Sequence, residues 1–215
     1  MGTDMVLQLG LLIFSLGIFF ALQNFSKQAL TKLRTKNRST AECHRHFVQA
    51  AQLLAKSRSS RNKTTSLNLA KSAVVEADKA LSIEPKNPAA HILKALAQDL
   101  MGHKSSAIRS LDIALSPPAL KSLPERERAD ALIKRAELQI AVNRKRRVDS
   151  AVADLVEAVR LYGDNTNRNS KAFCLLGQCY ETKGLREEAK NAFAEALRIE
   201  PGSVVARDGL NRLGS

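Results

Sequence analysis

The stretch that most narrows what this chain can become runs from Ser170 to Ser203, where the distinctive residues are spaced rather than clustered. Phe173, Leu176 and Tyr180 recur at intervals of three and four, so on a helix they share one face. Gly177 and Ala189 are small and let two helices approach closely. Gly184 stands where the first helix must stop and can take a positive φ there. Ala189, Phe193 and Ala196 carry the same periodicity into a second helix, and Pro201 ends it because it lacks an N–H for the helix ladder. The spacing therefore predicts a helical hairpin whose inner faces carry seven of these residues, with Gly184 and Pro201 as the stops of its two helices.

The same landmarks resemble the signature of the tetratricopeptide repeat, a helix-turn-helix unit of 34 residues, with Phe173 standing where that signature has Trp. The resemblance implies an all-α fold of stacked hairpins, an α-solenoid. A single unit cannot bury its apolar face, so at least three are expected. One lies at 88–121, with Ala95, Gly102, Ala107, Leu111 and Ala114 in register. There His91, Lys94 and Gln98 replace the landmarks of the first helix, and Pro117-Pro118 give an irregular end. Another spans 129 to about 166, with Leu132, Arg135, Ala136 and Gln139, then Ala151, Leu155 and Ala158. Its register needs three extra residues, which the basic tract 143–147 is expected to hold as a loop. The earliest unit has Phe47, Ala50, Ala51 and Leu54 on a first helix over 41–56, then Ala73, Ala77, Ala80 and Pro85. A long polar loop is expected between them over 57–64. After Pro201 a capping helix is predicted, with Val204, Val205, Leu210 and Leu213 facing inward and Arg207, Asp208 and Arg212 facing water. The repeat domain thus occupies 41–215, about four helical pairs plus a cap.

Residues 5–22 carry no charge and, at about 1.5 Å per residue, span roughly 27 Å, close to the hydrocarbon thickness of a bilayer. Three readings stay open: a retained signal anchor over 1–23, a cleaved signal peptide, or a buried soluble helix. The absence of a positive n-region and of an Ala-x-Ala site favours the anchor. From Lys27 to Lys63 there are ten basic residues against Glu42 alone, a large part of the net charge of +13. Segment 24–40 reads as a basic juxtamembrane linker that keeps the repeats on the cytosolic side of a single-pass protein. The same charge would be drawn to anionic lipid, although a plain topology signal is the preferred account of it. Asn37 and Asn62 lie in Asn-x-Ser/Thr sequons and would report a lumenal placement by carrying sugar.

The chemistry of catalysis is missing. No Gly-rich phosphate loop or nucleophile elbow occurs, and Glu187-Glu188 read as solvated charge, so neither an enzyme nor a cofactor is implied. Cys43, Cys174 and Cys179 are an odd number without framework spacing, which suits a reducing compartment. Cys43-His44-Arg45-His46 has no second pair at zinc spacing. Arg144-Lys145-Arg146-Arg147 is the strongest basic cluster, but with 4% aromatic residues there is little to stack on bases, and nucleic acid is not the expected partner.

The resemblance further implies a groove lined by the first helices of successive repeats, holding a peptide or helix of a protein partner. Carried across, it would use Ala89, Ile92, Leu93, Leu96 and Asp99, then Asp130, Ile133, Lys134 and Glu137, then Lys171, Cys174, Leu175, Gln178 and Glu181. The Lys-Asn-Arg carboxylate clamp of chaperone-docking relatives is not matched, because Ile92, Leu96, Ile133 and Glu137 occupy positions that would have to be Lys or Asn. An apolar segment held by Ile92, Leu93, Leu96 and Ile133 fits better, as does coverage by the chain's own first helix. The expected function is a membrane-tethered adaptor. The alternative is a soluble or organelle-lumen assembly factor freed of its first 25 or so residues.

Overall fold

Alanine at helical spacing is the commonest buried residue, with Ala50, Ala73, Ala77, Ala95, Ala97 and Ala107 all without solvent exposure. Such small residues let helices pack backbone to backbone, and a stack of hairpins is the result. The computed structural model describes residues 39–163 and 169–214. Helix α1 covers 39–59. It is followed by α2 (Lys63–Ile83), α3 (Pro88–Leu100), α4 (Lys104–Ala114), a short 3₁₀ turn (Ala119–Ser122) and α5 (Glu125–Tyr162). Then come α6 (Ser170–Lys183), α7 (Arg186–Ile199) and α8 (Val204–Gly214). Among the described residues there is no strand. Each helix packs chiefly on its neighbours in sequence, and α1 closes the first end by burying Ala50 and Leu54 against Ala73, Ala77, Leu93 and Ala97.

The turns depart from expectation. No loop forms over 143–147. Instead α5 is two antiparallel arms meeting at one extended residue, Asn143 (φ −159°, ψ 93°), whose Oδ1 accepts the Arg146 N–H at 3.1 Å. The extra residues are taken up as helix, because Arg and Lys are good helix formers and Asn is a strong N-cap. That the arms fold back is clear from Arg128 bonding Glu157 and Arg135 bonding Asp154. The expected long loop over 57–64 is also absent: α1 runs to 59 and α2 starts at Lys63. The polar tract satisfies itself. Ser57 Oγ donates to the Ser66 carbonyl at 2.7 Å, Ser66 Oγ donates to that of Ser57 at 2.8 Å, and the Asn62 side chain caps Thr64 and Thr65.

At the far end, the Phe193 ring is fully buried between Gly177 of α6 and Gly209 of α8. Gly184 holds the α6–α7 turn at φ 75°. The α8 assignment needs correction: Val204 and Val205 are 63% and 47% exposed, while Ala206, Gly209 and Leu213 are buried. None of the described helices is long and apolar enough to cross a membrane. The apolar run 5–22 and the linker that follows it to residue 38 lie outside the described residues.

Candidate partner-binding groove

Helix α3 begins with a strong start signal. The Asn87 side chain accepts the Ala90 N–H at 3.1 Å, and Pro88 fills the first turn, where a missing N–H costs nothing. That start fixes the rotation of α3, and Ala89, Ile92 and Leu96 come out half-buried on one face, with Leu93 buried beside them. The first arm of α5 places Glu127, Asp130, Ala131 and Lys134 opposite, and Phe47 of α1 closes the third side. Together they enclose a cavity of about 370 Å³.

Of the residues expected in the groove, Ala89, Ile92, Leu93, Leu96, Asp130 and Lys134 therefore meet in one place. Ile133 does not. It is 4% exposed and packs in the core with Leu132, Ala136, Leu155 and Leu176, because one residue along a helix turns the side chain through about 100° from Lys134. Phe47 is the wall that sequence reasoning missed. Its periodicity assigns it to the inner face of α1, and the one available signal was its being the sole aromatic of that helix. Helix α1 also covers part of the surface, since Leu93 and Leu96 pack in its cluster with Ala50 and Leu54.

Toward the carboxyl end the groove becomes an ion-pair ladder. Lys134 Nζ lies 2.6 Å from Asp99 and 3.4 Å from Glu137, and Lys171 Nζ lies 2.9 Å from Glu137. Burial works to raise the Glu137 pKa. The hydrogen bond from Lys171 and the charge of Lys134 outweigh it and hold the carboxyl below the usual range. Both cations are thus already matched to carboxylates of this chain. Glu181 is held by Arg212 of α8 at 2.9 Å, and Gln178 is half-buried on α6. Cys174 is buried with its Sγ 3.5 Å from Ser203 Oγ, and Leu175 packs against the core beside Leu176. At the rim Tyr162 donates to Asp130. Burial, helped by that bond, pushes its phenol up to about 12.

The repeat landmarks serve packing rather than chemistry. Leu176, Gly177, Ala189, Phe193 and Ala196 are buried, Phe173 and Tyr180 are partly buried against two adjoining clusters, and Pro201 lies just past α7. Arg135 occupies a position that is Leu176 in the later repeat. It is tolerated there because Nε and Nη2 grip Asp154 at 2.8 and 2.6 Å while Nη1 reaches Asp112 at 2.9 Å. The Cys43–His46 cluster is likewise consumed by packing. Cys43 Sγ donates to the Ala80 carbonyl at 3.5 Å, and His46 Nδ1 sits 2.6 Å from Glu76. Among the described residues no group of side chains is arranged to hold a metal.

The tetratricopeptide repeat family model matches residues 170–203. No curated protein matches the chain in sequence. Several solved structures match in fold. The MamA protein is 17% identical, with a TM-score of 0.63 over 80% of each chain. YrrB, described as a TPR protein with an unusual peptide-binding site, is 19% identical with a TM-score of 0.57 over 69% of this chain and 70% of its own. TTC0263, a thermophilic TPR protein of Thermus thermophilus, is 19% identical with a TM-score of 0.53 over 76% and 80%. At these identities the likeness is one of fold.

Proposed function

We propose that this chain, which carries a tetratricopeptide repeat at 170–203 and folds as tetratricopeptide-repeat proteins do, is a membrane-tethered adaptor that binds an apolar segment of a protein partner. In this reading 1–23 is a signal anchor, 24–40 a basic linker and 41–215 the binding domain, facing the cytosol. The observation that carries it is the cavity walled by Phe47, Ile92, Leu93 and Leu96, with Asp130 and Lys134 at its edge. A pocket with apolar walls and a few charged groups at the mouth suits one or two large apolar side chains of a peptide or helix, oriented by the rim. Beyond it, the ion-paired row of Lys134, Glu137, Lys171 and Glu181, with Gln178 beside it, offers polar contacts to the continuation of the same segment. A fold shared with a protein described as peptide-binding supports the reading by analogy.

The test compares proximity labelling by the full chain with that by Ile92→Glu and Leu96→Glu variants in the same cells. Partners that depend on the pocket vanish from the variants while the far-ultraviolet spectrum is kept. An unchanged set of labelled proteins refutes the pocket. Tethering is checked separately: the intact chain should resist carbonate extraction, and Leu12→Arg with Phe19→Arg should release it.

A further inference from the structure

The turns joining the two helices of each pair lie along one edge of the stack. Lys183, at the α6–α7 turn, reaches Asp149 beside the α5 turn at 2.5 Å, as adjacent turns must. The helix leaving each turn opens with a cation: Lys63, Lys104, Arg144 and Arg186. That is the helix end where the macrodipole disfavours positive charge. At the α5 turn the charge continues through Lys145, Arg146 and Arg147. All four residues there are exposed, and among the described residues no carboxylate pairs with them. Arg58 and Arg61, exposed at the α1–α2 turn, are equally unmatched.

The cations of the groove and its flanks behave differently. Lys94, Arg128, Lys134, Arg135 and Lys171 each hold a carboxylate. Those away from the edge that hold none among the described residues, such as Lys71, Lys86 and Arg109, stand singly rather than in a run. The acids near the edge are Asp99, Asp149 and Glu181, taken by Lys134, Lys183 and Arg212, with Glu187 and Glu188 on α7, of which Glu187 is paired with Lys190. The chain thus neutralises its groove and leaves its turn edge positive. Like charges packed into one helical turn repel each other as well as the helix end, and a dense anionic partner relieves both.

We infer that this edge docks on the phosphates of anionic lipid headgroups, so that the repeat stack rests on the membrane by its turns with the groove left open to a partner. Apart from His103 at the α3–α4 turn, no aromatic side chain stands at the four turns, so there is little to stack a run of bases and single-stranded nucleic acid is disfavoured. Cations spread over separate turns suit a plane of phosphates. The inference extends the tethering reading but stands without it, since attachment by cations needs no inserted helix.

The test uses the full chain carrying Leu12→Arg and Phe19→Arg, which removes insertion, sedimented with phosphatidylcholine vesicles with and without phosphatidylserine. Binding is expected only with phosphatidylserine and only at low salt. Adding Arg144→Gln, Lys145→Gln, Arg146→Gln and Arg147→Gln should weaken it about fivefold per charge removed, several hundredfold in all. The basic segment before α1 is identical in both chains, so the difference belongs to the edge. A second variant, Arg58→Gln with Arg61→Gln and Lys104→Gln, should weaken binding in the same way and covers the case in which the first fails to fold. Unchanged affinity in the folded variants overturns the inference. So does a preference of the parent for duplex DNA over phosphatidylserine vesicles. Carbonate extraction of the unmodified chain reports on residues 5–22 alone and keeps the two readings apart.

Discussion

Replacing Gly177 with Ala should destabilise the protein, against the direction that helix propensity alone predicts. In a helix interior Gly→Ala normally gains about 1 kcal/mol. Here the added Cβ would stand 2.6 Å from Cε1 of Phe193 and 2.7 Å from Cδ1 and Cζ, where carbon contacts settle at roughly 3.5–4.0 Å. The ring would have to retreat by nearly an ångström, and its other face is closed by Gly209, whose own Cβ would lie 2.5 Å from Cε2. Helix α6 has no room to shift either, being packed between α5 and α7. Overpacking of a closed site costs about 1–3 kcal/mol. With the blocked ring at the upper end of that range, a net loss of about 1–2 kcal/mol remains, a fall in thermal midpoint of roughly 2–8 °C. The chain has no Trp, so the assay is helix ellipticity against temperature. Gly209→Ala should cost less, because α8 is the terminal helix and can move outward. In a Phe193→Leu background Gly177→Ala should cease to destabilise, which a double-mutant cycle reads as coupling. A midpoint raised by Gly177→Ala in the parent chain would refute the packing described here.

Asp154→Ala should cost about 1–3 kcal/mol, since Arg135 keeps Asp112 but loses its two-point grip on Asp154, whereas the double change Arg135→Met and Asp154→Leu should come close to neutral, both read by urea unfolding. Glu76, Glu137 and Glu157 are held below the usual carboxylate range. For Glu76 and Glu157 hydrogen bonds from Lys79 and Arg160 lead the causes, while at Glu137 the lysines outweigh burial. A depressed carboxylate lends stability above its unfolded pKa and loses it as pH falls through the folded value. The thermal midpoint should therefore drop below about pH 4, with a shallower drop in Glu76→Gln and Glu157→Gln. Burial pushes the Cys43 and Cys179 thiols up to about 11, so at pH near 8 iodoacetamide should modify them only after denaturation, followed by mass spectrometry.

How the hairpins form is written locally. The period of three and four from Phe173 to Tyr180, the stop at Gly184 and the exit at Pro201 are properties of a few neighbouring residues, and they specify helix, turn and helix without reference to the rest of the chain. The same is true of the small residues at 95, 136 and 177, whose size anticipates close helix approach. What the sequence does not carry is the angle at which one hairpin lies on the next. That angle puts Phe47 into the wall of a cavity on α3 and α5. It turns Ile133 into the core while Lys134 faces the rim, sets Gly209 rather than Val205 against Phe193, and brings Asp154 to Arg135. Hydrophobicity could not have sorted these, since Val204 and Val205 are more apolar than the Gly209 that is buried. The turns differ from expectation for a related reason. A polar, basic tract reads as a loop when its hydrogen bonds are unknown, yet Ser57 with Ser66, and Asn143 with Arg146, satisfy the backbone across the bend and let the helices run almost to meeting. Spacing along the chain determines which residues share a face. Which face meets which is decided by contacts between residues from 16 apart, as Phe193 and Gly209 are, to 45 apart, as Phe47 and Ile92 are, and those exist only once the stack has formed.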